Sequence, residues 1–183
     1  MFSIFLRRLL KYWGIFVVLL VSGNGLIVYA DDITTSVSWI SDFGHWSVNR
    51  DQYFCYAISS PVISHPLKNI NHGNNHFIIV LNPEKKPSYL VEIVMDYPLD
   101  KNKKVTVQVI GKHSNGRIFT MDFYNDNRAA FATGSEDNDV LVNMMKMGKE
   151  LVLYARSKRG TDTRYVYSLD GLSKALEDIS RCQ

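Results

Sequence analysis

The chain has 183 residues, of which 46% are hydrophobic, and it carries 21 basic and 18 acidic side chains. This length suffices for one domain with a sizeable core, and no linker or low-complexity tract divides it. The densest basic groups, 101–104 and 156–159, lie beside turn-forming residues, and the other Lys and Arg residues are scattered among acids. Because nucleic-acid-binding proteins carry basic stripes or clusters, the composition argues against a nucleic acid as partner.

The first thirty residues have the pattern of a secretory signal peptide. Three basic side chains precede an apolar run over 15–21, and the segment closes on Ala30, which predicts cleavage after that residue. The alternative is an uncleaved N-terminal anchor, although residues 23–25 interrupt the apolar stretch short of the roughly 20 residues that a spanning helix needs. In both cases we expect residues 31–183 to fold as a single β-rich domain in the periplasm or outside the cell.

An aromatic motif, Phe43-Gly44-His45-Trp46-Ser47-Val48, lies at the first strand of this domain. Trp46 could mark an exposed binding surface, because exposed aromatic side chains anchor partners. A Trp at the start of a β-domain is more often buried, and we expect Trp46 in the core.

Most of the remaining segments predict antiparallel strands. Val105, Val107 and Val109 alternate with polar residues and should share one face of a strand. Segments 76–81 and 89–95 are richer in β-branched residues, as expected of buried strands. Two hairpins are predicted, one through Asn115-Gly116 between 104–110 and 117–121, and one between 151–155 and 164–167. The five prolines, at positions 61, 66, 83, 87 and 98, all fall at segment edges.

Two helices are predicted, one internal and one near the end of the chain. The internal helix lies between Asp137 and Met147, stops at Gly148, and has an apolar face of Val140, Leu141, Met144 and Met145. These Met residues would suit a soft binding surface, but packing on a sheet is the better interpretation. The second helix is predicted to start at Ser168 as N-cap with Asp170 in its first turn. Its apolar face contains Leu169, Leu172, Leu176 and Ile179.

The chain contains only two cysteines, Cys55 and Cys182. In an exported protein this favours an intramolecular disulfide, which would close a loop of more than 100 residues and stabilise the fold by roughly 4–5 kcal/mol. A buried free thiol at Cys55 and an intermolecular bridge through Cys182 are the competing interpretations.

The histidines and acidic residues form no strong catalytic or metal-binding pattern. His72 and His76 are four residues apart, with His65 nearby, which makes these three weak candidates for a metal site. Gly73 and the neighbouring Asn residues disfavour the helix that this spacing requires, so a loop leading into a strand is the better interpretation. His113 should be exposed beside a turn. We expect no cofactor.

Catalytic motifs are also missing from the sequence. There is no G-x-S-x-G elbow, no phosphate-binding glycine loop and no carboxylate pair of marked spacing in residues 31–183. A thiol–imidazole pair of Cys55 with His45 conflicts with the expected disulfide. The sequence therefore predicts a protein that is not an enzyme.

Several of these segments together resemble the invasion-associated locus B family of exported bacterial proteins. Members open with F-G-D-W-x-V, which is matched by the motif at 43–48 with His45 in place of Asp. They close with a strand, S-L-x-G-F, A-L and a final Cys, matched by 167–172, 175–176 and Cys182. Met147-Gly148-Lys149 is similar to the family's G-K before its penultimate strand. Family members usually carry further cysteines, one at about Arg50 and two at about 119–130, and this chain has none there.

The resemblance implies a β-rich exported domain associated with bacterial invasion of host cells, with no established enzymatic activity. It supplies no ligand and no functional residue beyond the cysteines. We therefore expect an antiparallel β-sandwich or barrel-like domain with a short internal helix and a C-terminal helix, acting through an unknown host or envelope protein partner. Membrane contact would involve only residues 1–30, if uncleaved. A periplasmic small-ligand or metal-binding protein is the alternative function.

Overall fold

The computed structural model describes residues 38–51, 54–82, 88–111, 117–123, 128–132 and 135–182. The described residues form eleven strands and two helices. The strands are β1 (Ser38–Phe43), β2 (Trp46–Arg50), β3 (Cys55–Ser59), β4 (Ile63–His65), β5 (His76–Asn82), β6 (Ser88–Val94), β7 (Val105–Ile110), β8 (Ile118–Phe123), β9 (Ala129–Ala132), β10 (Glu150–Arg156) and β11 (Asp162–Ser168). The helices are α1 (Ser135–Met147) and α2 (Leu172–Arg181).

The strands pair in the order β1-β2-β3-β5-β6-β9-β8-β7-β10-β11-β4, and every pairing is antiparallel. The ladder folds into two sheets of six and five strands. The first layer is β1-β2-β3-β5-β6-β9 and the second layer is β8-β7-β10-β11-β4. The architecture is therefore a β-sandwich rather than a closed barrel, and the mainly β prediction is confirmed.

An aromatic contact joins the two layers in the core. The Trp46 and Phe77 rings, both from the first layer, meet edge to face with their centroids 6.3 Å apart. Phe77 lies 5.6 Å from the ring of Tyr167, which belongs to the second layer. Trp46 is only 1% exposed, so its predicted place in the core is confirmed.

The predicted valine face shows how the second layer contributes to this core. Val105, Val107 and Val109 on β7 are each at most 1% exposed, and the residues between them are partly exposed. Val107 lies opposite Leu153 of β10, which lies opposite Tyr165 of β11. Because strand side chains alternate between faces, this row of cross-strand neighbours lies on the inner face of the layer.

Helix α1 completes the exposed edge of β6. β9 pairs with β6 only along 92–94, which leaves the amides of Tyr89 and Val91 without a strand partner on that side. The Asp139 carboxylate accepts the Tyr89 amide at 3.0 Å, and the Asn138 side chain accepts the Val91 amide at 2.7 Å. Asn138 also donates to the carbonyl of Ala132 on β9 at 3.0 Å, so one buried side chain links both strands.

The apolar face predicted for α1 is correct in part. Leu141 and Met145 are fully buried, but Val140 is 36% exposed and Val142 is buried instead. The helix ends at Met147, as predicted, and Gly148 follows it.

Helix α2 packs against the first layer, but its predicted start is wrong. It begins at Leu172, with Gly171 at the N-cap position, no side-chain cap and no acidic residue in its first turn. Ser168 instead ends β11, and its hydroxyl accepts the Asp170 amide at 3.2 Å. The backbone turns sharply at Gly171, with φ at 89°, so the helix cannot begin earlier. The buried face of α2 is Leu172, Ala175, Leu176 and Ile179.

Several predictions fall on residues outside the described ranges. These are the signal peptide or anchor at 1–30, the Asn115-Gly116 turn, His113, Pro83 and Pro87. The described residues belong to one unit, Thr35–Gln183. Neither described helix has the length and apolar character needed to cross a bilayer.

Candidate functional site

The segments that carry the family resemblance meet at one place, which we call the junction. It consists of residues 43–46, 148–149 and 168–171. The His45 amide donates to the Asp170 carbonyl at 3.2 Å, and the Trp46 indole N–H donates to the Ser168 carbonyl at 2.9 Å. The Leu169 amide donates to the Lys149 carbonyl at 3.0 Å. These segments are far apart in sequence, so their shared role is to lock the β1–β2 turn, the start of β10 and the turn before α2 together.

Close backbone contact at the junction depends on Gly171. A Cβ atom there would overlap the carbonyl oxygen of Phe43, and the φ of 89° disfavours any other residue. The glycine of the S-L-x-G pattern is thus required by packing.

A cavity of about 700 Å³ lies at the junction. Its wall includes two acidic side chains, Asp42 and Asp170, and two basic ones, Lys149 and Lys174. Ser173 supplies a hydroxyl, and no histidine or cysteine lines the described wall. The formal charges of these four side chains balance, so the described wall carries no net charge.

Asp42 is held as a carboxylate at the rim of this cavity. The Ser47 hydroxyl donates to its Oδ1 atom at 2.6 Å, and the Trp39 indole N–H donates to the same atom at 3.1 Å. These two hydrogen bonds, that of Ser47 first, hold the pKa of Asp42 below its usual value. A carboxyl held ionised in this way is unsuited to act as a general acid near neutral pH.

A second polar cluster, the tyrosine–histidine chain, fixes the loop before β5. His72 bonds through Nε2 to the Pro66 carbonyl at 2.8 Å and through Nδ1 to the Tyr165 hydroxyl at 2.9 Å. The Tyr165 hydroxyl donates to that of Tyr97 at 3.0 Å, and Tyr97 bonds to the Thr163 hydroxyl at 2.9 Å.

The tyrosine–histidine chain ends on a backbone carbonyl at both sides. His72 bonds to the Pro66 carbonyl at one end, and the Thr163 hydroxyl donates to the Ala155 carbonyl at 3.1 Å at the other. These hydrogen bonds hold the loop before β5 against β11.

Tyr167 differs from the two tyrosines in that chain. Its hydroxyl has no hydrogen-bond partner among the described residues, and the side chain is fully buried. Burial raises the pKa of Tyr167, as it also raises that of Tyr97 and Tyr165. All three phenols are therefore neutral at physiological pH.

The three candidate metal ligands have different partners. His72 belongs to the tyrosine–histidine chain, His76 bonds to the Ser60 hydroxyl at 3.2 Å, and His65 lies on the edge strand β4. Partial burial lowers the pKa of His76. Within the described ranges, no three His, Cys, Asp or Glu side chains are grouped as a metal site would need.

The disulfide joins Cys55 of β3 to Cys182, directly after α2, across 127 residues of sequence. The predicted intramolecular pairing is thus confirmed, with a Cα–Cα distance of 6.0 Å. A feature absent from our sequence predictions lies beside it. The Arg50 guanidinium donates to the Cys182 carbonyl at 2.7 Å and to the Cys182 Sγ at 3.0 Å, and its Nε approaches the Cys55 Sγ at 3.3 Å.

The outer face of the second layer carries exposed apolar side chains. Ile118, Ile63, Tyr154 and Ile110 are between 40% and 60% exposed. The register places Ile118 opposite Gln108, and Ile63 opposite Val166, so these side chains lie on the face opposite the core valines.

Comparison with known proteins gives a likeness of fold. The chain is similar in structure to invasion associated protein B from Bartonella henselae, with a TM-score of 0.54 and 17% sequence identity. The match covers 77% of this chain and 95% of the other. No family model matches the sequence, and no curated protein matches it. At this identity the likeness shows a shared fold.

The segments of the junction could be identified from the sequence, but the contacts between them could not. A strand motif, a G-K pair and an S-L-x-G turn carry no signal of mutual contact, because their contacts are mostly backbone hydrogen bonds. Arg50 had one usable signal: it occupies a position at which the family usually has a cysteine, close in sequence to Cys55.

Proposed function

We propose that this protein is an exported, non-enzymatic β-sandwich that acts through contacts with a host or envelope protein, as part of bacterial invasion of host cells. The observation that carries the proposal is the fold likeness to invasion associated protein B, which extends over 95% of that chain. The fold alone does not assign a function. The proposal therefore also draws on the disulfide, which is consistent with an oxidising compartment outside the cytoplasm.

The described sites support a binding role rather than catalysis. The junction is held largely by backbone hydrogen bonds, and the side chains of the tyrosine–histidine chain bond to one another and to backbone carbonyls. The exposed isoleucines of the second layer are the kind of surface that a protein contact uses, because apolar side chains gain most from being covered.

Export is tested by the intact mass of the protein recovered from the periplasm and the medium. A chain beginning at Asp31 supports the proposal and excludes the anchored alternative. Recovery of the full-length chain from the cytoplasm, with both cysteines as thiols, would contradict the proposal.

The invasion role is tested with beads coated with the purified, oxidised protein. We expect cultured cells to take up these beads more often than beads coated with albumin. An Ile118→Asp variant should reduce uptake if the second-layer face makes the contact, whereas Lys158→Asp, at the exposed 157–160 turn, serves as the charge-changing control. Equal uptake of protein-coated and albumin-coated beads would count against the role.

A second candidate function is the binding of a small ligand at the junction cavity. The balanced charges of its wall favour a zwitterionic ligand such as a dipeptide. Titration of the ¹⁵N-labelled protein with diglycine tests this. Shifts confined to the amides around Lys149 and Ser173 would support it, and an unchanged spectrum would dismiss it.

A further inference from the structure

The disulfide has an unequal environment on its two sulfurs. Cys55 is 6% exposed and lies in the core, whereas Cys182 is only partly buried. A thiolate from solution therefore has freer access to the Cys182 sulfur. Exchange at that atom would release the Cys55 sulfur as the leaving group.

The exposed Arg50 is placed to stabilise that leaving group. Its Nε atom lies 3.3 Å from the Cys55 Sγ, and its second contact with Cys182 keeps the guanidinium beside the bond. A neighbouring arginine favours the thiolate form of a cysteine, and a better-stabilised thiolate leaves faster in thiol–disulfide exchange. The contacts to sulfur are therefore more than packing.

We propose that Cys182 is the reactive sulfur of a thiol–disulfide exchange site, and that Arg50 is its positioning residue, serving a partner that carries a reactive dithiol. The incoming thiolate attacks the Cys182 sulfur, the Cys55–Cys182 bond breaks, and a mixed disulfide forms at Cys182. The electron pair moves to the Cys55 sulfur, which remains as a thiolate beside Arg50. The second thiol of the partner, as its thiolate, then attacks the partner's own sulfur in the mixed disulfide. Cys182 departs as a thiolate, and the partner leaves with an internal disulfide.

This site does not depend on the proposed invasion role. It requires only the two sulfurs and Arg50. It predicts that a dithiol oxidoreductase of the export compartment can reduce and reform the Cys55–Cys182 disulfide. The same chemistry in reverse would close the bond during folding.

The rate test compares two substitutions of Arg50 in the full oxidised protein. Arg50→Gln removes the charge and Arg50→Lys keeps it, while Arg159→Gln removes an exposed charge far along the chain as a control. Removing the guanidinium should raise the pKa of the leaving thiol by about one unit or more, which slows exchange about threefold or more. Reduction by dithiothreitol should therefore be slower in Arg50→Gln and close to wild type in the other two variants.

A purely structural role for Arg50 predicts the opposite result. Without the bond to the Cys182 carbonyl, the end of α2 would loosen and reduction of Arg50→Gln would become faster. A faster or unchanged rate overturns the proposal.

The attacked sulfur is identified by trapping. Brief reaction of the oxidised protein with glutathione, followed by acid quenching and Glu-C digestion, separates residues 178–183 from the Cys55 peptide. The glutathione adduct should be on Cys182. An adduct mainly on Cys55 would refute the assignment.

Discussion

At Gly171 the backbone leaves no space for a side chain, whereas at Gly160 it does. Both have φ close to 90°, but a Cβ at Gly171 would overlap the Phe43 carbonyl, and one at Gly160 would lie 3.5 Å from an Arg156 side-chain nitrogen, which is ordinary van der Waals contact. Gly160→Ala should cost only the left-handed strain of about 1–2 kcal/mol. Gly171→Ala should add displacement of the junction and cost about 3–5 kcal/mol in all. Urea denaturation of both variants tests this. Equal losses in the free energy of unfolding would show that the junction accommodates the added methyl group with little displacement.

The buried tyrosines of β11 provide a second matched pair. Tyr165→Phe breaks the chain between His72 and Tyr97 and should destabilise the protein by about 1–3 kcal/mol. Tyr167→Phe removes a hydroxyl that lacks a partner in the described structure, and it should be neutral or stabilise by about 1 kcal/mol. Thermal and urea unfolding measure both. A large loss in Tyr167→Phe would show that its hydroxyl is bonded after all.

Partial burial of His76 makes stability depend on pH in a defined direction. Its folded pKa is lower than the unfolded value of about 6.5, so the unfolded chain binds the proton more readily. The contribution of neutral His76 to the free energy of unfolding should be fully present above about pH 6.5. It should be lost as the pH drops below that value. His76→Asn should show a smaller fall between pH 7.5 and 5.5 in urea titrations. A steeper fall in the variant would reverse the assigned sign.

At the residue scale, burial could be predicted from the sequence better than polar partnership. Trp46 and the β7 valines were predicted to be buried because aromatic type and alternation report it directly. The partners of His72 could not be predicted, since the Tyr165 hydroxyl that it contacts is 93 residues away. The same holds for Arg50, whose role depends on the position of a sulfur 132 residues along the chain.

Helix α2 is held by an apolar face as well as by the disulfide that follows it. Ile179 is 1% exposed, so Ile179→Ala should cost about 2–4 kcal/mol through lost burial and the cavity left behind. Ser180→Ala, on the exposed side of the same turn, should change stability by less than about 0.5 kcal/mol. Urea denaturation of the oxidised variants provides the measurement. A loss below 1 kcal/mol for Ile179→Ala would indicate that the disulfide alone retains the helix.

At the scale of elements, the strands could be predicted and the start of α2 could not. β5, β6, β7, β10 and β11 match the predicted segments to within a few residues, because their composition and alternation reflect burial in a sheet. Ser168 and Asp170 have the residue types of a helix start, and local propensity alone would begin the helix there. The close approach of Phe43 to Gly171 decides otherwise, and that contact is tertiary.

At the scale of the whole molecule, one covalent bond closes most of the chain into a loop. Replacing both cysteines with alanine should lower the free energy of unfolding by about 3–5 kcal/mol, since the unfolded chain regains the freedom that a 127-residue separation removes. Urea denaturation of Cys55→Ala/Cys182→Ala against the oxidised wild type tests this. The midpoint should move with little change in the final unfolded signal, and an unchanged midpoint would contradict the entropic account.

The same separation in sequence sets the order of events during synthesis of the protein. Synthesis at about 5–20 residues per second produces Cys55 on the order of ten seconds before its partner exists. During that interval the Cys55 sulfur has no native disulfide partner. Strands β4 to β11 are synthesised while Cys55 is a free thiol or a temporary mixed disulfide. A nascent chain of this kind depends on its surroundings to keep Cys55 from forming a disulfide with another protein.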